Sequence, residues 1–291
     1  MRLRFGIRPF DFPDFARMIE TGKFELNQAN YIDVVKSSLQ NEFQHFEITS
    51  DLMFVLPGLL SPKVIQQLNH FKTENDYSCS VHCPLWSIEL ASPNAYIKQA
   101  SIDCIIETIE RTKALDPLCW VIHATGALVA ELSQQNLPQI PKEFMMERFS
   151  SFAFDSIERV LDQTNIPSRK LAVENVEFPF RVMEEGLENL NLSVCLDTGH
   201  LITGFSGEWT NGVIEFYESY QERIVELHLH DAFRNSRKDH ISLGNCDLPV
   251  RELLIKLIDT NFSGPVVFEL TLNEVKESMD FIKINVPEVL S

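Results

Sequence analysis

Eight times along this chain of 291 residues, a short alternating apolar run is followed by a stretch with helical spacing, and no linker, repeat or low-complexity segment breaks the series. Period-two runs fall at residues 3–7, 43–48, 80–82, 120–123, 170–174, 193–197, 224–230 and 265–269. Helical spacing follows at 31–39, 62–72, 144–163, 181–189, 213–220, 250–259 and 272–284, and in a long stretch from the Ser92-Pro93 pair to residue 115. Strands that alternate with helices build a parallel sheet. Eight of them in a chain somewhat above the ~250 residues of a typical (β/α)8 barrel predict that barrel, as one domain over residues 1–291, ahead of an open doubly wound sheet. Irregular segments are expected at 12–30 and 134–141. A loop of nearly twenty residues, 231–249, is far longer than a usual strand-to-helix link, and loops of that length tend to be functional.

The ends of the strands are where this sequence departs from a plain core. The runs VHCP, VIHATG, AVENVE, SVCLDTGH, VELHLHD and VFEL close on His82, His123, Glu174, Asp197, His228 and Glu269, and the turn after Asp197 immediately offers His200. Side chains alternate across a strand, so Glu226, His228 and His230 share one face while Val225, Leu227 and Leu229 share the other. The polar set points into the barrel at its C-terminal end, where barrel enzymes carry their chemistry. Six of the chain's eight histidines fall in these motifs or in the long loop, leaving His45 and His70 elsewhere. A lone inward histidine is usually a hydrogen-bonded core residue. Several converging imidazoles together with Glu174, Asp197 and Glu269 would be costly to bury unless cations organised them. Mixed nitrogen and carboxylate donors suit Zn²⁺, Mn²⁺ or Fe, whereas magnesium would want more oxygens.

Composition narrows the partners. The formal charge is −17, which argues against broad attraction to nucleic acid or to an anionic membrane. The N-terminus MRLRFGIRPF lacks the apolar core of a signal peptide, and no run approaches a membrane span, so a cytoplasmic protein is expected. The six cysteines are scattered and form no CxxC pair, which reads as free thiols. Within this acidic chain, Arg234, Arg237 and Lys238 cluster in the long loop and Arg8 stands at the end of the first strand. They are candidates to hold an anionic, phosphorylated small molecule. The competing readings are solvated loop charges and, for Arg8, an ion pair with Asp11 or Asp14.

The motifs VHCPLWSIELASP, VIHATG, AVEN, VCLDTGH, LHLHD, DHISLG and VFEL follow one another in that order between Ser80 and Leu270. With them the chain resembles the xylose isomerase-like TIM barrel superfamily and, within it, the endonuclease IV branch (AP endonuclease family 2). The resemblance implies a trinuclear centre, usually of zinc, on His82, His123, Glu174, Asp197, His200, His228, His240 and Glu269, with Glu174 as the bridging carboxylate. Where that branch places an aspartate two residues before the last histidine, this chain has Lys238. Asp239, directly beside His240, is the candidate in its place. Glu174 and Asn175 are followed by Val176, Glu177, Phe178 and Pro179 in place of a glycine-rich stretch, and Leu85 stands where a tyrosine is expected. These departures weigh against action on DNA.

Two chemistries fit. The leading one is hydrolysis of a small phosphodiester by two or three zinc ions, with Glu174 and Glu269 in the catalytic set and His230 as a donor to another ligand or a proton relay to substrate. Phosphodiesterases that remodel cobamides are similar in kind. The alternative is a sugar or sugar-phosphate isomerase or epimerase, in which one Mn-like ion sits on Glu174, Asp197, His228 and Glu269 and the two glutamates exchange protons with substrate. A metal-binding barrel without catalysis is a third class that nothing in the chain requires.

Overall fold

Pleating sends successive side chains of a strand to opposite faces, and in this protein the two faces have different chemistry. The computed structural model describes residues 2–9, 31–39, 43–56, 58–133, 135, 137–176, 178–204, 212–234, 236 and 238–290. Within them β1 Arg4–Ile7, β2 His45–Thr49, β3 Ser78–His82, β4 Trp120–Ile122, β5 Leu171–Glu174, β6 Ser193–Asp197, β7 Ile224–Leu229 and β8 Pro265–Phe268 close into a barrel in chain order. Closure is a parallel pairing of β1 with β8, running from Arg4 beside Pro265 to Ile7 beside Phe268.

Phe5, Ile7, Phe46, Ile48, Trp120, Ile122, Val194, Leu196, Leu227, Leu229, Val266 and Phe268 belong to the main hydrophobic cluster, packed outward against the helices. Each such side chain contributes about 1.5–3 kcal/mol on leaving water, so this layer stabilises the barrel. Cys119, Val121, Ala172 and Cys195 form a separate small cluster inside the barrel. Much of the rest of the inner face is polar: His45, Glu47, Ser80, Glu226 and His228 are all fully buried. Branched aliphatic residues usually fill such barrels. Here polar side chains take much of that space, beside Val121 and the rest of the small inner cluster.

The helices follow the predicted spacing with instructive shifts. The third strand's helix, Ala95–Thr112, is capped not by Ser92 but by Asn94, whose side chain accepts from the Tyr96 N–H at 3.0 Å. Ser92 instead accepts from the Asn94 N–H at 3.2 Å. Helix Gln139–Thr164 begins inside the segment expected as a loop, with Pro141 in its first turn, where a missing N–H costs nothing. Three short helices, Leu52–Val55, Ala127–Ser133 and Thr198–Thr203, are too brief to show a period in sequence. Among the described residues no helix is long and apolar enough to cross a membrane.

Candidate metal centre

Nine side chains meet at the C-terminal mouth. His82, Glu174 and Asp197 end β3, β5 and β6, and His228 lies one residue from the end of β7. His123 and Glu269 stand one residue beyond β4 and β8, His200 is in the helix Thr198–Thr203, and Asp239 and His240 come from the long loop. The carboxylate of Glu174 is the hub. Its Oε2 lies 3.2 Å from His82 Nε2, 3.3 Å from His123 Nε2 and 3.6 Å from His228 Nδ1, and its Oε1 lies 3.2 Å from His200 Nδ1. His228 Nδ1 is also 3.5 Å from Glu269 Oε1 and 3.9 Å from Asp197 Oδ2. On the rim, His240 Nε2 lies 3.3 Å from Glu269 Oε2 and 3.0 Å separates its Nδ1 from Asp239 Oδ1.

Asp239 lies beside both rim histidines. Its Oδ2 reaches to 3.7 Å of His200 Nε2, so an aspartate does arrive beside His200 and His240, from the position next to the histidine. Neighbours in extended backbone point to opposite sides. His240 has φ 53, in the left-handed region, and that kink breaks the alternation and lets adjacent side chains serve one rim.

The Asp-Thr-Gly-His turn is built around these contacts. Asp197 Oδ1 accepts the His200 N–H at 2.7 Å and so caps the helix that carries His200. Asn175 clamps the Asp197 backbone, donating to its carbonyl at 2.9 Å and accepting from its N–H at 2.7 Å. A Cβ on Gly199 would be driven into the His230 imidazole, so only glycine lets that ring pack there. The ring is fully committed. Its Nδ1 accepts the backbone N–H of His240 at 2.9 Å, so Nε2 must carry the proton that it donates to Asp197 Oδ2 at 2.9 Å. Of the two roles expected for His230, donor to a ligand fits this geometry, and a proton relay has no free nitrogen to use.

The long loop is ordered from below. Asp231 Oδ1 accepts the N–H of Ala232 and of Leu248, each at 2.9 Å, and Oδ2 accepts those of Gly244, Asn245 and Cys246 at 3.0, 3.1 and 2.9 Å. Charge-assisted bonds of this kind are among the stronger ones. The sequence signal for Asp231 is its place directly after the HLH run, which sequence reasoning did not use. Glu47, on β2, was also missed. It is fully buried and its Oε1 lies 3.2 Å from His228 Nε2. Its strand offers no histidine at its C-terminal end to draw attention there.

The charges are extreme. Burial would lower the His82 pKa, but the carboxylates of Glu174, Glu47 and Glu269 outweigh it and lift the ring to about 9. In the same way Asp197 and Glu174 raise His200 to about 9, and Asp239 and Glu269 raise His240 to about 10. Burial would raise Glu174, yet His123, His200 and His82 hold it well below the ordinary carboxylate range. Asp197 falls to about 2, with burial overcome by His200 and His230. Among the described residues, His228 Nδ1 is buried among carboxylates without a hydrogen-bond partner. A lone pair in that position, with carboxylates at 3.5–3.9 Å, fits a divalent cation. His82, His123 and Glu174 form one group of suitable spacing, and Glu174, Asp197 and His228 form a second that shares the glutamate.

The candidate substrate residues are less gathered. Arg8 Nη1 donates to Glu269 Oε1 at 2.5 Å, and this cation is the main influence holding Glu269 low against its burial. Asp11 and Asp14, the other partners considered for Arg8, lie outside the described residues, as does Arg237. Arg234 and Lys238 are exposed on the long loop. His70 lies on the outer surface beside Glu74, and His45 lies on the barrel floor.

Known proteins share this architecture. An uncharacterized protein of Methanocaldococcus jannaschii is 23% identical over 239 residues, which cover 77% of this chain and 75% of the relative. A D-tagatose 3-epimerase-like protein superposes with a TM-score of 0.70 at 20% identity, covering 99% of this chain and 98% of the other. Endonuclease IV from Thermus thermophilus gives 0.61 at 15% identity, covering 97% of this chain and 99% of the other. At those identities the two structures share the fold, which here carries both an epimerase-like protein and an endonuclease. The profile of one family matches residues 39–284, and the chain belongs to that family, the xylose isomerase-like TIM barrels.

Proposed function

We propose that this protein is a metal-dependent phosphodiesterase acting on a small anionic phosphodiester, with two or three zinc ions held by His82, His123, Glu174, Asp197, His200, His228, Asp239, His240 and Glu269. One observation carries the reading: the Glu174 carboxylate stands between two ligand groups, with His82 and His123 at 3.2 and 3.3 Å on one side. A single-ion sugar site has no use for those two imidazoles. When bound, such ions supply Lewis acidity, which acidifies water and neutralises charge on the phosphoryl group and the leaving oxygen. Glu174 offers Oε2 toward His82, His123 and His228 and Oε1 toward His200, so this one carboxylate faces both groups. Arg8 restrains Glu269, and His230 restrains Asp197, so both carboxylates are held in place before substrate arrives. Arg234, Arg237 and Lys238, in the same loop sequence as Asp239 and His240, are the candidate cations for the substrate's negative charge.

A second reading is supported by the quartet around His228 Nδ1, where Glu174, Glu269 and Asp197 approach to 3.6, 3.5 and 3.9 Å. It assigns one Mn-like ion to that quartet and an isomerase or epimerase reaction, with Glu174 and Glu269 moving the protons. Metal counting on the purified full chain separates the two. Two or three zinc ions per chain, with hydrolysis of bis(p-nitrophenyl) phosphate falling about 10³-fold in His82→Ala and in His123→Ala, supports the phosphodiesterase. One ion per chain, together with ketose proton exchange that survives both substitutions, would sink it.

A further inference from the structure

Beneath the mouth, the barrel interior holds acidic side chains for which the phosphodiesterase chemistry has no task. Glu47 and Glu226 are fully buried and face His228 from the floor side: His228 Nε2 lies 3.2 Å from Glu47 Oε1 and 3.7 Å from Glu226 Oε1. The two glutamates differ in their partners. Ser80 Oγ donates to Glu226 Oε1 at 2.8 Å and Cys119 Sγ donates to Oε2 at 3.1 Å, so both oxygens of Glu226 are engaged. Glu47 Oε1 meets the imidazole of His228, and Glu47 Oε2 is buried with no hydrogen-bond partner among the described residues.

These three residues are spaced closely enough to be taken for a metal site of their own. The ring argues otherwise. An imidazole that gives Nδ1 to a cation in the mouth keeps its proton on Nε2, and a protonated nitrogen cannot also ligate an ion. With Glu226 engaged by Ser80 and Cys119, the floor would then offer an ion little beyond the Glu47 carboxylate. The same geometry suits a carboxylate that accepts the Nε2–H, and such partners commonly set the tautomer and donor strength of a metal-ligating histidine.

We propose that Glu47 is a positioning residue for the metal centre: its carboxylate accepts the Nε2–H of His228, fixes the ring plane, and leaves Nδ1 as the lone-pair nitrogen aimed at Glu174, Asp197 and Glu269. The proposal rests on His228 being a metal ligand, as in the function proposed above. It places the determinant of one ligand's strength on β2, a strand that contributes nothing to the ligand set.

The test uses the full chain, zinc alone as probe, and two variants. In the zinc-loaded wild type, ¹⁵N-resolved NMR of histidine-labelled protein should show His228 with zinc on Nδ1 and a slowly exchanging proton on Nε2. Glu47→Ala should weaken zinc binding about 10- to 100-fold and let that proton exchange quickly. Glu47→Gln keeps the shape and an acceptor oxygen but not the charge, so it should retain the proton and lose less affinity. Should the alanine variant not fold, the wild-type spectrum and the glutamine variant still decide. A folded Glu47→Ala with wild-type zinc affinity, a glutamine variant as weak as the alanine one, or zinc found on Nε2, would overturn the proposal and leave the metal centre standing. A wild-type chain that takes up no zinc would overturn both together.

Discussion

His45 and His228 are both fully buried on the inner face of the same barrel, and they have opposite fates. On the floor, His45 meets Ser78 Oγ through Nδ1 at 2.8 Å and Ser80 Oγ through Nε2 at 2.9 Å. Both nitrogens are satisfied by neutral hydroxyls, and burial, with Arg4 and His228 adding to it, drives its pKa down to about 3. At the mouth, burial also works against protonation of His228, but Cys195, Glu269 and Glu47 outweigh it and raise its pKa, while Nδ1 has no hydrogen-bond partner among the described residues. Burial of a polar group is therefore no sign of function by itself. A satisfied imidazole held neutral is part of the scaffold, whereas an imidazole left incomplete among carboxylates is a candidate site for a cation.

The sharpest way to break this contrast is to remove the hub. Glu174→Ala should take the metal content down by at least one ion per chain and reduce phosphodiester turnover by about 10³-fold or more, read by elemental analysis and by bis(p-nitrophenyl) phosphate hydrolysis. It should also destabilise the metal-free chain by about 3–5 kcal/mol, because His82, His123 and His200 lose the buried charge that they face. A variant that kept its full metal content would show that the imidazoles gather for another reason.

The contrast can next be sharpened with pH. In the metal-free chain His82 and His200 titrate near 9 and His240 near 10, against about 6.5 for an unfolded imidazole. Below about 6.5 both states are protonated and the stabilisation is fully present. Above it the unfolded chain sheds protons that the native chain keeps, so stability falls as pH rises through 6.5 toward 10. The carboxylates work in the other direction: the contribution of Asp197 is present above its unfolded value of about 3.9 and is lost as pH falls through about 2. Metal-free protein should thus melt highest between about pH 4 and 6.5 and decline on the alkaline side, by about 1.4 kcal/mol for each pKa unit that separates the folded and unfolded rings. Zinc must displace those protons, so loading should release protons at neutral pH and remove most of the alkaline decline. Melting curves with chelator and with zinc from pH 6 to pH 10 measure both, and a flat metal-free profile would mean that the mouth is satisfied like the floor.

The two regions were unequally legible in sequence. The mouth was readable because six of its nine candidate ligands fall at strand ends with fixed parity: the alternation in VELHLHD alone orients Glu226, His228 and His230. Eight strands with bounds shifted by a residue or two followed from the same period. The floor was not readable in the same way. His45 and Glu47 sit on β2 with inward parity, yet parity cannot say that Ser78 and Ser80 arrive opposite His45, since that depends on the register of β2 with β3. Glu226 was oriented correctly but its partners, Ser80 and Cys119, lie more than 100 positions away in the chain. His230 illustrates the remaining gap: its inward direction follows from the strand, but its exhausted nitrogens depend on a backbone N–H of the long loop. Short helices such as Ala127–Ser133 went unseen because fewer than two turns cannot display a 3.6-residue period.

The smallest effect belongs to the floor. If His45 is scaffold, His45→Ala should cost stability and spare the centre. The substitution leaves the hydroxyls of Ser78 and Ser80 without their imidazole partner, although Ser80 keeps Glu226 at 2.8 Å and Ser78 keeps the Gln44 carbonyl at 3.3 Å. A buried polar group that loses its partner costs about 1–3 kcal/mol, and the vacated volume adds to that unless water enters and bonds the serines. Zinc stoichiometry should stay at the wild-type value, because among the described residues no hydrogen bond joins His45 to any of the nine candidate ligands, and its bonded route toward the mouth runs through Ser80 and Glu226 to His228. That chain makes the prediction exacting: its last link is the 3.7 Å gap between Glu226 Oε1 and His228 Nε2, too long for a hydrogen bond. Loss of zinc in a folded His45→Ala, seen by titration alongside a denaturant melt, would mean that the gap is bridged and that floor and mouth form one network.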